Sequence, residues 1–306
     1  MNNYVLYMAY SNQVYSSEAI CSIYSVLHSS VDHQNFQIVI YTDNRPFFEE
    51  YLPASCQVEY HDLNAQIISD WVGESGYIYK AKIRILQDFL KNRDCNVLFL
   101  DTDTFILSDV NQLFSQVNNG YYYMHAPEYL ISSKLDFKFY EFLSTDDNAE
   151  KYKISIDSYM TNSGVIGINS GSVALLDDVI NLIDELFIVI PWQRVIEQIA
   201  LNAILSKTNR LLYAYTSVLH YWAFKEYVNF LLTFFNIPLQ HRFSSRLFIQ
   251  SSLNINKDIQ LLELMTPLAQ DLSFYLSDEY INHEIILQSP KDSPLTERIV
   301  QLKLMS

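Results

Sequence analysis

Two aspartates one residue apart, Asp101 and Asp103, directly follow the apolar run NVLFL, residues 96–100. Carboxylates at that spacing, at the carboxyl end of a buried strand, can both reach one divalent cation, and hard oxygen ligands suit Mg²⁺ or Mn²⁺. The triplet alone is weak evidence, because 20 aspartates in 306 residues give about one Asp-x-Asp by chance. An ordinary strand-end turn capped by Asp is the competing explanation.

The elements that must carry these residues follow from the hydrophobic periods. Tyr4 to Tyr10 is a run of strand length, and Ser16 offers a helix cap before Ile20, Ile23 and Leu27 at helical spacing. FQIVIY (36–41) is a second strand and residues 57–61 a third; Ile83, Leu86 and Leu90 form one face of a helix over 79–90. NVLFL is apolar on both faces, as in a parallel sheet covered by helices. Strands are expected again at 121–125 and 165–168, and an amphipathic helix at 194–205. This alternation predicts an α/β doubly wound fold, in which ligands sit at the carboxyl ends of strands. The polar and aromatic stretch from Tyr129 to Tyr159 reads as an insertion or lid rather than core. From about residue 227 the pattern changes to aromatic helical segments punctuated by prolines. The expected organisation is a catalytic domain over 1–226 with an insertion at 129–160, then a helical region over 227–306.

Composition narrows the function classes. The chain has 306 residues and a net charge of −15, from 20 Lys and Arg against 35 Asp and Glu. That balance argues against nucleic acid as a partner, since binding there rests on neutralising phosphates. Cys21, Cys56 and Cys95 are widely spaced and form no CxxC pair, so reduced structural thiols are expected. The apolar start has no basic flank and reads as a strand, not a signal peptide, and no apolar run reaches membrane-spanning length. A cytoplasmic protein follows, with peripheral contact at the inner face of a membrane left open. Oligomeric state is not legible. Only six glycines occur where ordinary usage of roughly 7% would give about 21. Three of them, Gly164, Gly167 and Gly171, fall within eight residues, which suggests a close approach of backbone to ligand or strand.

Two families carry the Asp-x-Asp pattern after an apolar strand. Asp101-Thr102-Asp103-Thr104 fits the first motif of haloacid-dehalogenase phosphatases, with Asp101 as nucleophile and Asp103 as general acid/base, and Asp177-Asp178 could imitate their later acidic motif. That first motif normally opens its domain, whereas here about a hundred residues of α/β pattern precede it. The second resemblance is broader. NVLFLDTDTFILSDVNQLF resembles the strand, metal motif and turn of the glycogenin-like GT-A glycosyltransferases of family 8. Lys82 falls where that family places a basic residue directed at the donor, with Arg84 nearby. Ala126-Pro127-Glu128 resembles its Ala-Pro-Asp segment, and Asn162-Ser163-Gly164-Val165 its Asn-Ser-Gly-Val strand start. Glu197-Gln198 resembles its Asp-Gln pair, and His220 and Lys225 resemble its late metal-binding His and phosphate-binding Lys. Asn12 and Tyr15 resemble its uracil-contacting start.

The matches run in order over roughly residues 4–226. The glycine between the late His and Lys is absent, and Glu stands for Asp at 128 and 197. The resemblance implies a GT-A (Rossmann-like) α/β fold with a helical C-terminal extension. It implies a retaining transferase that uses a UDP-sugar, with Mn²⁺ or Mg²⁺ held by Asp101, Asp103 and His220. Asn12, Tyr15, Lys82, Thr102, Asn162, Ser163 and Lys225 would bind the donor, and Gln198, Glu197 and Glu128 would serve catalysis. The acceptor would be a glycan or protein, shaped by the insertion and the C-terminal helices. A binding module that keeps the fold without turnover is the remaining alternative.

Overall fold

The computed structural model describes residues 1–130, 141, 145–152, 154, 158–191 and 194–222. Residues 223–306, and with them Lys225 and the expected helical C-terminal region, lie outside the described residues.

The central sheet has seven strands in the order β3-β2-β1-β4-β7-β6-β8. They are β1 (Asn2–Ala9), β2 (Gln37–Thr42), β3 (Val58–Asp62), β4 (Cys95–Leu100), β6 (Tyr122–Leu130), β7 (Tyr159–Asn169) and β8 (Leu211–Tyr213). β1 to β4 pair in parallel, β6 pairs β8 in parallel, and β7 alone runs against its neighbours. A second, two-stranded sheet pairs β5 (Thr104–Ile106) with β9 (Val218–His220), antiparallel. The α/β architecture is thus as expected from the strand–helix alternation.

Both faces are covered, which explains the unbroken apolar runs. Alternation along β1 and β4 splits the core in two. Val5, Tyr7, Leu98 and Leu100 face α1 (Gln13–Ser29), α2 (Arg45–Tyr51) and α5 (Val110–Asn118). Leu6, Val97 and Phe99 face α3 (Ala65–Val72), α4 (Lys80–Leu90), α7 (Val173–Val189) and α8 (Ile196–Ser206). No helix among the described residues is long and apolar enough to cross a membrane.

Two local expectations are corrected. Asn12, not Ser16, caps α1: its side chain accepts from the Val14 amide at 3.0 Å, while Ser16 is buried inside the helix. An asparagine that accepts from the second residue of the helix starts it a turn earlier. β6 and β7 extend well beyond the expected strands, because Ala126, Pro127 and Glu128 lie in β6 despite the proline. Register shifts on either side of Pro127 absorb its missing N–H. Of the 129–160 stretch, the structure describes residues 129–130, 141, 145–152, 154 and 158–160. It includes α6 (Asp146–Tyr152), and Tyr152 and Ile154 are buried in the second core cluster.

Candidate metal centre

β4 ends at Leu100, and the next residue's backbone is fixed at once: the Asp101 amide donates to Gly164 O on β7 at 2.9 Å. β5 then leads away and pairs with β9, with Thr104 opposite His220. The Tyr221 amide donates to Asp103 O at 3.1 Å. The small sheet therefore brings a residue more than a hundred positions away onto the Asp-x-Asp turn. Asp101, Asp103 and His220 each offer a ligand atom within 4.8 Å of the others.

The hydrogen bonds of His220 decide what this cluster can hold. Asn162 Oδ1 accepts the Gly164 N–H at 2.7 Å, and Asn162 Nδ2 donates to Glu128 Oε1 at 2.8 Å. His220 Nδ1 lies 2.8 Å from that same Oδ1, so Nδ1 must be the protonated nitrogen. In the neutral ring Nε2 then presents a lone pair to Asp103 Oδ1 at 3.0 Å, with Asp101 Oδ2 at 3.9 Å. Two acceptors at that distance repel unless a cation or proton lies between them. Two carboxylates and one oriented imidazole are a donor set that fits a divalent cation. Without one, the pocket favours a proton. Burial opposes the imidazolium, but Asp103 and then Asp101 outweigh it and raise the His220 pKa.

The glycine cluster finds its reason here. A Cβ on Gly164 would lie 2.2 Å from His220 Nδ1. Only a glycine lets the imidazole lie against β7. Gly167 is similarly tight, with Tyr123 Cβ at 2.9 Å from the position of its absent Cβ.

Beside the cluster lies a network of buried polar side chains. Lys82, in the first turn of α4, places Nζ 2.7 and 2.9 Å from the two Asp101 carboxylate oxygens. It also donates to Ser163 O and Oγ at 3.3 Å, and Glu197 Oε1 lies 4.0 Å away. Burial works against the ammonium, yet Asp101, Glu197 and Asp103 together keep its pKa raised. Glu197 and Gln198 form the first turn of α8, as the sequence predicts, but both are buried. Glu197 accepts from Ser163 Oγ at 2.9 Å and Tyr77 OH at 2.7 Å, and Gln198 Oε1 accepts from the Ser163 amide at 3.0 Å. Burial is the main force raising the Glu197 pKa; Lys82, Tyr77 and Ser163 pull it partly back.

No family model matches the chain, and no curated protein does. Among solved structures it is similar to galactosyltransferase LgtC in complex with donor and acceptor sugar analogues: 15% identity, TM-score 0.44, covering 69% of this chain and 72% of that one. It is similar to mouse xyloside xylosyltransferase 1 in its apo form: 14% identity, TM-score 0.47, covering 68% and 83%. It is also similar to the bifunctional glycosyltransferase WbbM: 14% identity, TM-score 0.48, covering 68% of this chain and 38% of that one.

The structure thus joins Asp101, Asp103, His220, Lys82, Asn162, Ser163, Glu128, Glu197 and Gln198 in one network of contacts. The others are placed differently. Asn12 caps α1. Tyr15 is 45% exposed on that helix's first turn, and its phenol pKa is raised by burial and then by Glu18, Tyr79 and Asp103. The Thr102 hydroxyl turns inward to Glu18 Oε2 at 3.1 Å. Arg84 bonds Gln87 instead, at 2.8 Å. Asp177 and Asp178 are exposed on α7, with Asp177 accepting from Gln87, and do not join the cluster.

Sequence reasoning missed Tyr77 and Glu18. Tyr77 bonds both Glu197 and the Arg194 carbonyl, at 2.7 and 2.8 Å. Nothing distinguishes it among 23 tyrosines. Glu18 was detectable as a charge within an otherwise apolar and serine-rich helix.

Proposed function

We propose that this chain is a metal-dependent glycosyltransferase of the GT-A type, moving a sugar from a UDP-sugar to a glycan or protein acceptor with retention. The observation that carries the proposal is the His220–Asp103–Asp101 donor set, oriented by Asn162 and lying beside the Glu197–Gln198 pair. The ordered motif matches over residues 4–226 support it.

A bound divalent cation, Mn²⁺ or Mg²⁺, supplies positive charge to a diphosphate leaving group. The chain's own residues do the rest. Lys82 holds Asp101 in place and keeps a full positive charge beside the phosphate position. Ser163, fixed by three partners, and Asn162, fixed by Glu128, offer a rigid polar wall for sugar hydroxyls. Glu197 and Gln198 bring a carboxyl and an amide to that wall, where an electron-rich oxygen stabilises an oxocarbenium-like centre. Tyr15 gives an exposed ring for the base. Lys225 is assigned to the phosphate by resemblance. Three free thiols, two of them buried, suit a reducing compartment and support action in the cytoplasm.

The test is UDP release from a panel of UDP-sugars with Mn²⁺. Release that disappears in Asp103→Ala is expected. Phosphate release from a phosphomonoester with no response to UDP, or UDP-dependent stabilisation without turnover on any donor, would overturn the proposal.

A further inference from the structure

One face of α1 carries Glu18, Ser22, Ser25 and Ser29, at spacings of four, three and four. These residues meet Thr102, on the turn after β4, and Thr104 and Ile106, on β5. Thr102 Oγ1 donates to Glu18 Oε2 at 3.1 Å, and Ser22 Oγ lies 2.8 Å from Thr104 Oγ1. The Ile106 amide donates to Ser25 Oγ at 2.8 Å, and Ser29 Oγ donates to Ile106 O at 2.9 Å. One face of the helix is thus bonded along both the turn and β5.

Proton counting gives this seam a direction. Thr104 has one hydroxyl proton, and it goes to the Asp101 carbonyl at 2.8 Å. Ser22 must therefore donate to Thr104, and Tyr7 OH, 3.0 Å away, must donate to Ser22. A buried chain of donors runs from Tyr7 on β1, through α1, and ends on the backbone of a proposed metal ligand. Its side chains are all nearly inaccessible to solvent, so water does not compete for the bonds.

We propose that Glu18 and Ser22 are positioning residues that set the geometry of the turn carrying Asp101 and Asp103. The inference rests on those two residues and His220 forming a divalent-cation site. Nothing in the proposed chemistry explains why a helix core would keep a carboxylate and serines here. Aligned against the two threonines, they fix both side chains that flank Asp103. Groups bonded directly to metal ligands typically contribute about 10–100-fold to affinity, and Glu18 and Ser22, acting through Thr102 and Thr104, fall at the lower end.

The experiment is Mn²⁺ binding to the full chain, followed by electron paramagnetic resonance of free and bound ion, with no donor present. Glu18→Ala and Ser22→Ala are each expected to weaken binding at least tenfold. Glu18→Gln, which still offers Thr102 an acceptor, should recover most of it. Glu18→Ala combined with Thr102→Val should weaken binding no more than the stronger single change, because both break one bond. Thermal unfolding without metal shows which variants fold; if Glu18→Ala does not, Glu18→Gln against Ser22→Ala decides. Wild-type affinity in folded Ser22→Ala and Glu18→Ala, with binding lost in Asp103→Ala, overturns the inference alone. Failure of the wild type itself to bind Mn²⁺ overturns the cation site as well.

Discussion

Gly164→Ala is the sharpest perturbation the site offers, because it adds one methyl group to a place with no room for it. The new Cβ would lie 2.2 Å from His220 Nδ1, 2.5 Å from Cε1 and 2.7 Å from Cγ, where ordinary contact begins at 3.4 Å. The ring must retreat by more than about 1 Å. It cannot do so and keep both the 2.8 Å bond to Asn162 and the 3.0 Å approach to Asp103. The backbone has no part in the cost, since Gly164 is not among the glycines at positive φ. Overpacking of this kind costs about 1–3 kcal/mol. For a domain of this size that lowers the melting temperature by about 3–10 °C. Moving an imidazole ligand off its position should also weaken Mn²⁺ about 10–100-fold. Thermal unfolding without metal and Mn²⁺ titration of the same sample measure both effects. Gly171→Ala is the comparison, because its new Cβ meets only Asn169 Oδ1, at 3.1 Å. A Gly164→Ala protein that melts within 1 °C of wild type and binds Mn²⁺ within threefold would refute the packing of His220 against β7.

Lys82→Met keeps the bulk of a buried side chain but strips the counter-charge from Asp101 and Glu197. Removing one partner of a buried pair costs about 3–5 kcal/mol, and urea unfolding with and without Mn²⁺ should show that the ion restores part of the loss. The half-buried Cys56 thiol is pushed up to about 11 by burial. At pH 8 its thiolate fraction is therefore about 100-fold below that of an unperturbed thiol near 9, and alkylation by iodoacetamide should be slower in proportion. Its rate should keep climbing with pH up to about 11, where a free cysteine has already levelled off; a plateau near 9 contradicts the packing around α2 and β3.

The parts of the fold that rest on local periodicity were legible, and those that rest on distant pairing were not. β1, β2 and β4 read as strands because both of their faces are buried, which leaves unbroken apolar runs. β7 reads only in its apolar half. Two residues before it, Asn162 and Ser163, are polar because their side chains bond within the site, and composition there resembles a turn. β9 is three residues long, and nothing local marks it as the partner of β5. Asp101 and Asp103 were legible because a strand end places them together. His220 carried a signal only through the family resemblance, and its Nδ1 proton could be assigned only once Asn162 and Gly164 stood beside it. The seam on α1 shows the same limit from the other side. Its serines were visible at helical spacing, but the reason for them is Thr102 and Thr104, some eighty residues later.

The charge of the chain acquires a local meaning at this site. Five carboxyl groups, of Glu18, Asp101, Asp103, Glu128 and Glu197, surround or border the pocket. Among the described residues, the ammonium bonded within it is that of Lys82, already engaged by Asp101. A diphosphate brought to about 4 Å from one carboxylate meets a repulsion of about 4 kcal/mol at an effective dielectric near 20. Two such contacts would cost about 8 kcal/mol on the same basis. A divalent ion on the Asp101–Asp103–His220 set reverses the sign of the nearest term. Under the proposed function, UDP affinity should therefore collapse by at least about 100-fold when the metal is chelated, while the affinity of uridine, which lacks the phosphates, should change little. Calorimetry of both ligands with and without Mn²⁺ separates the two. Equal UDP affinity in the presence and absence of metal would mean that positive charge reaches the phosphates from elsewhere, and that the Asp-x-Asp turn does not meet them.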